Sequence, residues 1–246
     1  LLAGQRIAIA RDAAFCFIYP ANLTCLTALG AELTFFSPLA HEALPACDAV
    51  WLPGGYPELH AAQLAAHPTI RAALAQHVAE DKPIWAECGG MIAMCESLTL
   101  LDGAEHAMWG VLPAQVVMQT RLAALGPQSF DVGSGMLRGH TFHYSTLQTQ
   151  LKPIGYGSPC RLGSSAEPIY WQGSLQASYL HAWFMSSPIA TAALFGAVLM
   201  IGLIDGLGGQ RGSTGVDRWC FDVCMTSRRG ITNWHHDWNV GIKYEL

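Results

Sequence analysis

The chain has 246 residues, 51% of them hydrophobic and only 13% charged. That is long enough for one α/β domain with a substantial core and some extension. Thirteen basic residues against eighteen acidic ones give a formal net charge of −5, and no basic cluster exceeds Arg228-Arg229. This argues against a nucleic-acid partner and for solution chemistry on a small molecule. Eight cysteines are scattered without a CxxC or the density of a secreted scaffold, so a reducing cytoplasm is expected. The start, LLAGQRIAIARD, has no initiating Met and no long apolar leader, and the chain reads as a piece of something longer.

In chain order, RIAIA (6–10) suits a central parallel strand, and AFCFIYPANLTCLTALG after it carries helix-spaced apolar positions ending at Gly30. AELTFFSP predicts a second strand stopped by Ser37-Pro38. DAVWLPGGYPE predicts a third, running into a turn at Pro53-Gly54-Gly55. Residues 58–80 are alanine-rich and helical with a break at Pro68. KPIWAE is the fourth strand, and GGMIAMCESL opens the next helix. Strands alternating with helices imply a mostly parallel sheet with helices on both faces.

From about 105 to 184 the texture turns β-rich, with WGVLPAQVVMQT, GMLRGHTFHYSTL, PIYWQG and SLQASYLHAWF joined by Gly, Ser and Pro. These strands are expected to extend or flank the sheet in mixed orientation. SSPIATAALFGAVL then predicts a Ser-capped helix with Pro in its first turn, closing a domain of about 195 residues. The remainder mixes Gly, Trp and Arg without a sustained period and does not read as a further domain. Within it, Cys220, Cys224, His235 and His236 are too loosely spaced for a zinc site, so no metal is expected. GLGGQRGSTG lacks the lysine of a phosphate loop. The sixteen uncharged residues 189–204 fall short of the roughly 20 that span a bilayer, so a buried closing helix is expected and no membrane contact.

The stretch KPIWAECGGMIAM places one cysteine between a buried strand and a glycine pair that permits a sharp turn into a helix. Cys88 then sits at an elbow above the carboxyl edge of the sheet, where the following backbone N–H can face a developing oxyanion. A helix N-terminus behind it would also lower the thiol pKa. The glycines of LPGGYPE end another strand at the same edge. Gly54, Gly55 and Gly89 together could supply oxyanion donors, which argues for acyl chemistry. A thiol nucleophile needs a base, and ten histidines are available. His41, His60, His67, His77 and His106 lie in helical or loop stretches and are expected to be solvated. His140, His143 and His181 lie in β-rich pieces. Strand alternation puts His181 at the end of an apolar run where a side chain emerges at a sheet edge, but spacing alone does not choose among the three.

RIAIARDAAFCFIYPANL, FFSPLA, LPGGYPELHA, AECGGM, MQTRLAALG, RGHTFHYS and ASYLHAWF occur in an order and spacing that resemble the C-terminal glutamine amidotransferase domain of cobyrinic or hydrogenobyrinic acid a,c-diamide synthases. The resemblance covers residues 5–195 and implies a flavodoxin-like α/β fold of the class I glutamine amidotransferase type, leaving 196–246 as a tail of irregular structure. It implies that Cys88 attacks the side-chain amide of glutamine, that His181 raises its nucleophilicity and protonates the departing ammonia, and that Gly55 and Gly89 donate to the oxyanion. His143 and His140 are secondary candidates beside the same cleft. ATP and Mg²⁺ are implied for an N-terminal synthetase domain, absent from this chain, that activates the a and c carboxylates of a corrinoid. No cofactor is implied for the amidotransferase domain itself. Two departures stand out. Trp183 occupies the position two residues after His181 where many class I amidotransferases carry Glu, which leaves the third member of a triad open. About fifty residues also follow the point at which the family's chains finish. The rivals are an amidotransferase of nickel-sirohydrochlorin or cobyric acid synthesis, and an amidotransferase-like module that binds without turnover.

Overall fold

The first strand, β1 (Arg6–Ala10), shows how the sequence builds two layers at once. Ile7 and Ile9 enter one apolar cluster and Ala8 and Ala10 the other, because successive side chains of a strand face opposite ways. In the computed structural model, which describes residues 1–161 and 165–196, this strand is followed by α1 (Pro20–Ala28), β2 (Glu32–Phe36) and β3 (Ala49–Leu52). Then come α2 (Ala61–Ala65), α3 (Ile70–Ala79), β4 (Ile84–Glu87) and α4 (Gly89–Met94). The β-rich part comprises β5 (Ser97–Thr99), β6 (Glu105–Ala107), β7 (Ala114–Met118), β8 (Ala124–Asp131), β9 (Met136–His143) and β10 (Ser145–Thr149). It continues through β11 (Gly155–Tyr156), β12 (Ser158–Pro159), β13 (Pro168–Gln172), β14 (Leu175–Ser178) and β15 (His181–Trp183), and α5 (Pro188–Phe195) follows.

The main sheet has the order β11-β13-β14-β4-β3-β1-β2. β2, β1, β3, β4 and β14 run parallel, and β13 and β11 add antiparallel strands at one edge. The parallel part is the doubly wound order 2-1-3-4-5. One apolar cluster packs Leu64, Ile70 and Leu74 of α2 and α3 against it, and the other packs Leu26 of α1 and Leu194 of α5, so helices cover both faces. Two further four-stranded sheets flank it: β10-β7-β5-β6 has the mixed orientation expected, whereas β12-β8-β9-β15 is antiparallel throughout. Among the described residues no helix is long and apolar enough to cross a membrane.

Several local expectations are corrected. The helix drawn from residue 14 begins only at Pro20, whose fixed φ suits a first helical turn, and it ends at Ala28, with Gly30 at φ 98° just beyond its cap and Ala31 N–H returning to Leu26 O at 3.1 Å. The helix after Cys88 is six residues long, and Ser97 and Leu98 turn into β5 instead of continuing it. The break around Pro68 holds, for a reason the sequence did not disclose. His67 is 6% exposed and its Nδ1 accepts N–H bonds from Thr69 and Ile70 at 3.3 and 3.2 Å, capping α3. His77 is also buried and its pKa is lowered by that burial, so neither of these histidines is the solvated residue expected. Ser187 does cap α5, accepting from Ala190 N–H at 3.4 Å with Pro188 at N1. The zinc-like pattern, the phosphate-loop-like GLGGQRGSTG and the part of 189–204 beyond residue 196 lie outside the described residues.

Candidate active site

Four chain segments meet at the carboxyl edge of the main sheet. The loop after β1 reaches the one after β3 through an isolated bridge, Phe17 N–H to Gly54 O at 2.9 Å. β4 ends at Glu87, which lies opposite Ser178, the last residue of β14. The Cys88 N–H then continues that ladder to Ser178 O at 2.8 Å. Two residues on from Ser178 the chain reaches Leu180, and β15 starts with His181. The sheet register therefore carries Cys88 and His181 off the ends of neighbouring strands.

Cys88 is the elbow itself, with φ 44° and ψ −103°. This corrects the sequence reading, in which the glycine pair supplied the turn: the unfavourable dihedrals fall on the cysteine, a conformation retained at functional sites. The glycines serve close approach instead. A Cβ on Gly89 would lie 2.8 Å from Gly55 N and 2.9 Å from Pro57 Cδ, and one on Gly90 would overlap the Leu52 carbonyl. A Cβ on Gly55 would overlap Ala14 O, and one on Gly54 would overlap the His181 ring. Gly89 is thus packed against Gly55 and Gly54 against the His181 ring, and Phe17 lies beside the imidazole with ring centroids 5.8 Å apart.

Cys88 is 5% exposed, and its pKa is raised, first by burial and then by Glu58; the Gly89 N–H opposes the shift. The expectation of a lowered thiol pKa is not met. A six-residue helix offers little dipole, and loss of water outweighs it. His181 is 1% exposed with its pKa pushed down to about 3, by burial first and then by His140 and His143. At neutral pH the two groups are therefore a thiol and a neutral imidazole.

The secondary candidates separate. His140 stacks on His181, centroids 5.0 Å apart and planes 18° from parallel, and its Nε2 lies 3.4 Å from the Tyr19 hydroxyl. His143, three residues further along β9, faces the other way. It stacks on Tyr179 at 3.6 Å, and its Nδ1 and Nε2 lie 2.9 Å from Ser145 O and 3.0 Å from Glu167 Oε1. Both ring nitrogens therefore meet oxygen partners, and Thr141 Oγ1 also donates to the Glu167 carboxyl at 3.0 Å. Trp183 is 40% exposed and stacks on the His140 ring. Tyr19, Tyr179, Glu58, Glu87 and Glu167 escaped the sequence reading. Only Glu87, an acid closing a buried strand, carried a readable signal. Among the described residues no group of three or more His, Cys, Asp and Glu side chains converges as metal ligands.

Residues 6–189 match the family model of the CobB/CobQ-like glutamine amidotransferase domain. A cobyrinate a,c-diamide synthase of Herminiimonas arsenicoxydans is 50% identical over 196 residues, 79% of this chain and 45% of that protein. A hydrogenobyrinate a,c-diamide synthase of Stutzerimonas stutzeri is 50% identical over 194 residues, again 79% and 45%. The chain thus spans less than half the length of these relatives. A solved glutamine amidotransferase structure superposes with a TM-score of 0.53 at 20% identity, over 77% of this chain and 98% of that one, a likeness of fold. With the doubly wound sheet already described, these matches place the chain in the CobB/CobQ-like glutamine amidotransferase domain family.

Proposed function

We propose that this chain supplies the glutaminase half of a cobyrinate or hydrogenobyrinate a,c-diamide synthase, with residues 5–195 as the amidotransferase domain, and releases ammonia from glutamine for amidation of the corrinoid a and c carboxylates. The observation that carries the reading is the strained elbow at Cys88, with the Gly55 and Gly89 backbones packed against each other and the His181 imidazole against Gly54. In this reading Cys88 Sγ attacks the amide carbon of glutamine. The N–H groups of Gly55 and Gly89 donate to the oxyanion, with Gly54 shaping the loop that aims them. The neutral His181 takes the thiol proton and passes it to the departing ammonia, and water then hydrolyses the thioester. A thiol with a raised pKa and an imidazole with a lowered one keep the pair uncharged until the substrate carbonyl arrives. Proton transfer is then coupled to attack instead of preceding it.

ATP and Mg²⁺ belong in this reading to the synthetase half that the longer relatives carry, and no step above passes through them. The corrinoid would be met there, and a cytoplasmic setting is inferred from the scattered thiols. Removing the Cys88 thiol tests the reading directly. Cys88→Ser is expected to lower glutamine-dependent ammonia release at least 1,000-fold, and an electrophilic diazo-ketone analogue of glutamine should label the unsubstituted chain on Cys88 alone. Ammonia release by Cys88→Ser at the rate of the unsubstituted chain overturns the assignment. Absence of both release and label in the unsubstituted chain favours a module that binds without turnover.

A further inference from the structure

Glu87 is fully buried, immediately precedes Cys88 and faces away from it into the cluster that holds Trp51 and Trp85. Its Oε1 accepts two N–H bonds, from Trp85 Nε1 at 2.7 Å and from the backbone of Ala182 at 3.1 Å. Ala182 follows His181. The same residue is also held by buried Asn22, whose Nδ2 donates to Ala182 O at 2.8 Å and whose Oδ1 accepts from Phe184 N–H at 2.9 Å. The short strand carrying His181 is thus clamped at the Ala182 peptide between Glu87 and Asn22, while its outer edge pairs with β9. Glu87 Oε2 and the Nδ1 of His181 are both buried without a hydrogen-bond partner, so nothing else fixes the imidazole at that nitrogen.

Resting on the amidotransferase reading, we propose that Glu87 is the positioning residue for His181: it holds the imidazole through the Ala182 peptide, in a chain where the position two residues after the histidine is the half-exposed Trp183. Oε1 is the acceptor for both N–H bonds, and with Oε2 buried and unpartnered the uncharged form is the less costly one. Burial agrees, pushing the Glu87 pKa up to about 8. Trp85 and Ala182 oppose that shift, as does the Trp51 indole, which lies near the carboxyl although it makes no hydrogen bond of ordinary geometry. Glutamine is therefore a close mimic of the working form, and methionine keeps the volume while deleting the acceptor.

The test uses the full chain, first shown to release ammonia from glutamine, and compares Glu87→Gln with Glu87→Met. Glu87→Met is expected to lower kcat at least 30-fold with KM within about threefold, while Glu87→Gln retains kcat within about fivefold of the unsubstituted chain. The unsubstituted chain should show an ionisation in kcat near pH 8 that Glu87→Gln lacks. Equal loss in both variants, or Glu87→Met within threefold of the unsubstituted chain, overturns the proposal. Amide hydrogen exchange at Ala182 checks the clamp without reference to turnover. Exchange at least tenfold faster in Glu87→Met, and unchanged in Glu87→Gln, supports it; equal rates in all three chains overturn it. A chain that fails to release ammonia but shows the exchange pattern therefore separates failure of the amidotransferase reading from failure of the clamp.

Discussion

Glu87 ties protein stability to pH in a direction opposite to most carboxyls. Its pKa rises from the ordinary 4.5 to about 8 on folding, so its proton is held more tightly by the folded state. The stability this provides is complete below about pH 4.5 and is lost as pH rises through 8. Glu87→Gln removes the dependence. Its denaturant midpoint should exceed that of the unsubstituted chain by a margin that widens from pH 5 to pH 8, readable in urea titrations across that range. Gly90 makes a second residue-scale prediction. A Cβ there meets the Leu52 backbone, which cannot rotate aside, so Gly90→Ala should cost about 3 kcal/mol by overpacking, measured as a shift in urea midpoint. The position of the cysteine at an elbow was legible in the sequence because a buried strand running into Gly-Gly marks a sharp turn. The protonation states were not legible, since they depend on burial and on neighbours such as Glu58, thirty residues away.

At the scale of the element, β15 depends on contacts that no propensity foretells. It is three residues long, pairs with β9 through His181↔His140, and is held at its inner edge by Glu87 and Asn22. Asn22→Leu should destabilise by about 2–3 kcal/mol by leaving Ala182 O and Phe184 N–H buried and unpaired, checked by equilibrium unfolding. It should also lower ammonia release more than a stability loss of that size explains, because the strand bearing His181 loosens. Longer elements were easier to read. β1, β3 and β4 are continuous apolar runs, and α3 has a helical period that His67 caps. The short pieces between 105 and 160 were assigned to the β class, but their division among two flanking sheets and the edge of the main one was not foreseen, because pairing partners lie far apart in the chain.

On the scale of the molecule, helices on both faces of the sheet contribute to the two apolar clusters, the second including Leu194 and Phe195 of α5. A chain ending at residue 199 is therefore expected to melt in one cooperative transition, with a midpoint within a few degrees of the full chain's. A broad, non-cooperative melt by calorimetry would place part of the core beyond that point. What the sequence determined by itself was the alternation of strand and helix, and hence the parallel sheet, together with the elbow thiol and its glycines, because these follow from periodicities and backbone demands within a few residues. It did not choose among His140, His143 and His181 by spacing, and it did not reveal that Glu87 grips the strand beside the imidazole. Only the tertiary structure separated the three, setting His181 against Gly54 and His143 against Glu167, and showed the Glu87 contact, because β4, β9, β14 and β15 are brought to one edge by hydrogen bonds between residues up to about a hundred positions apart.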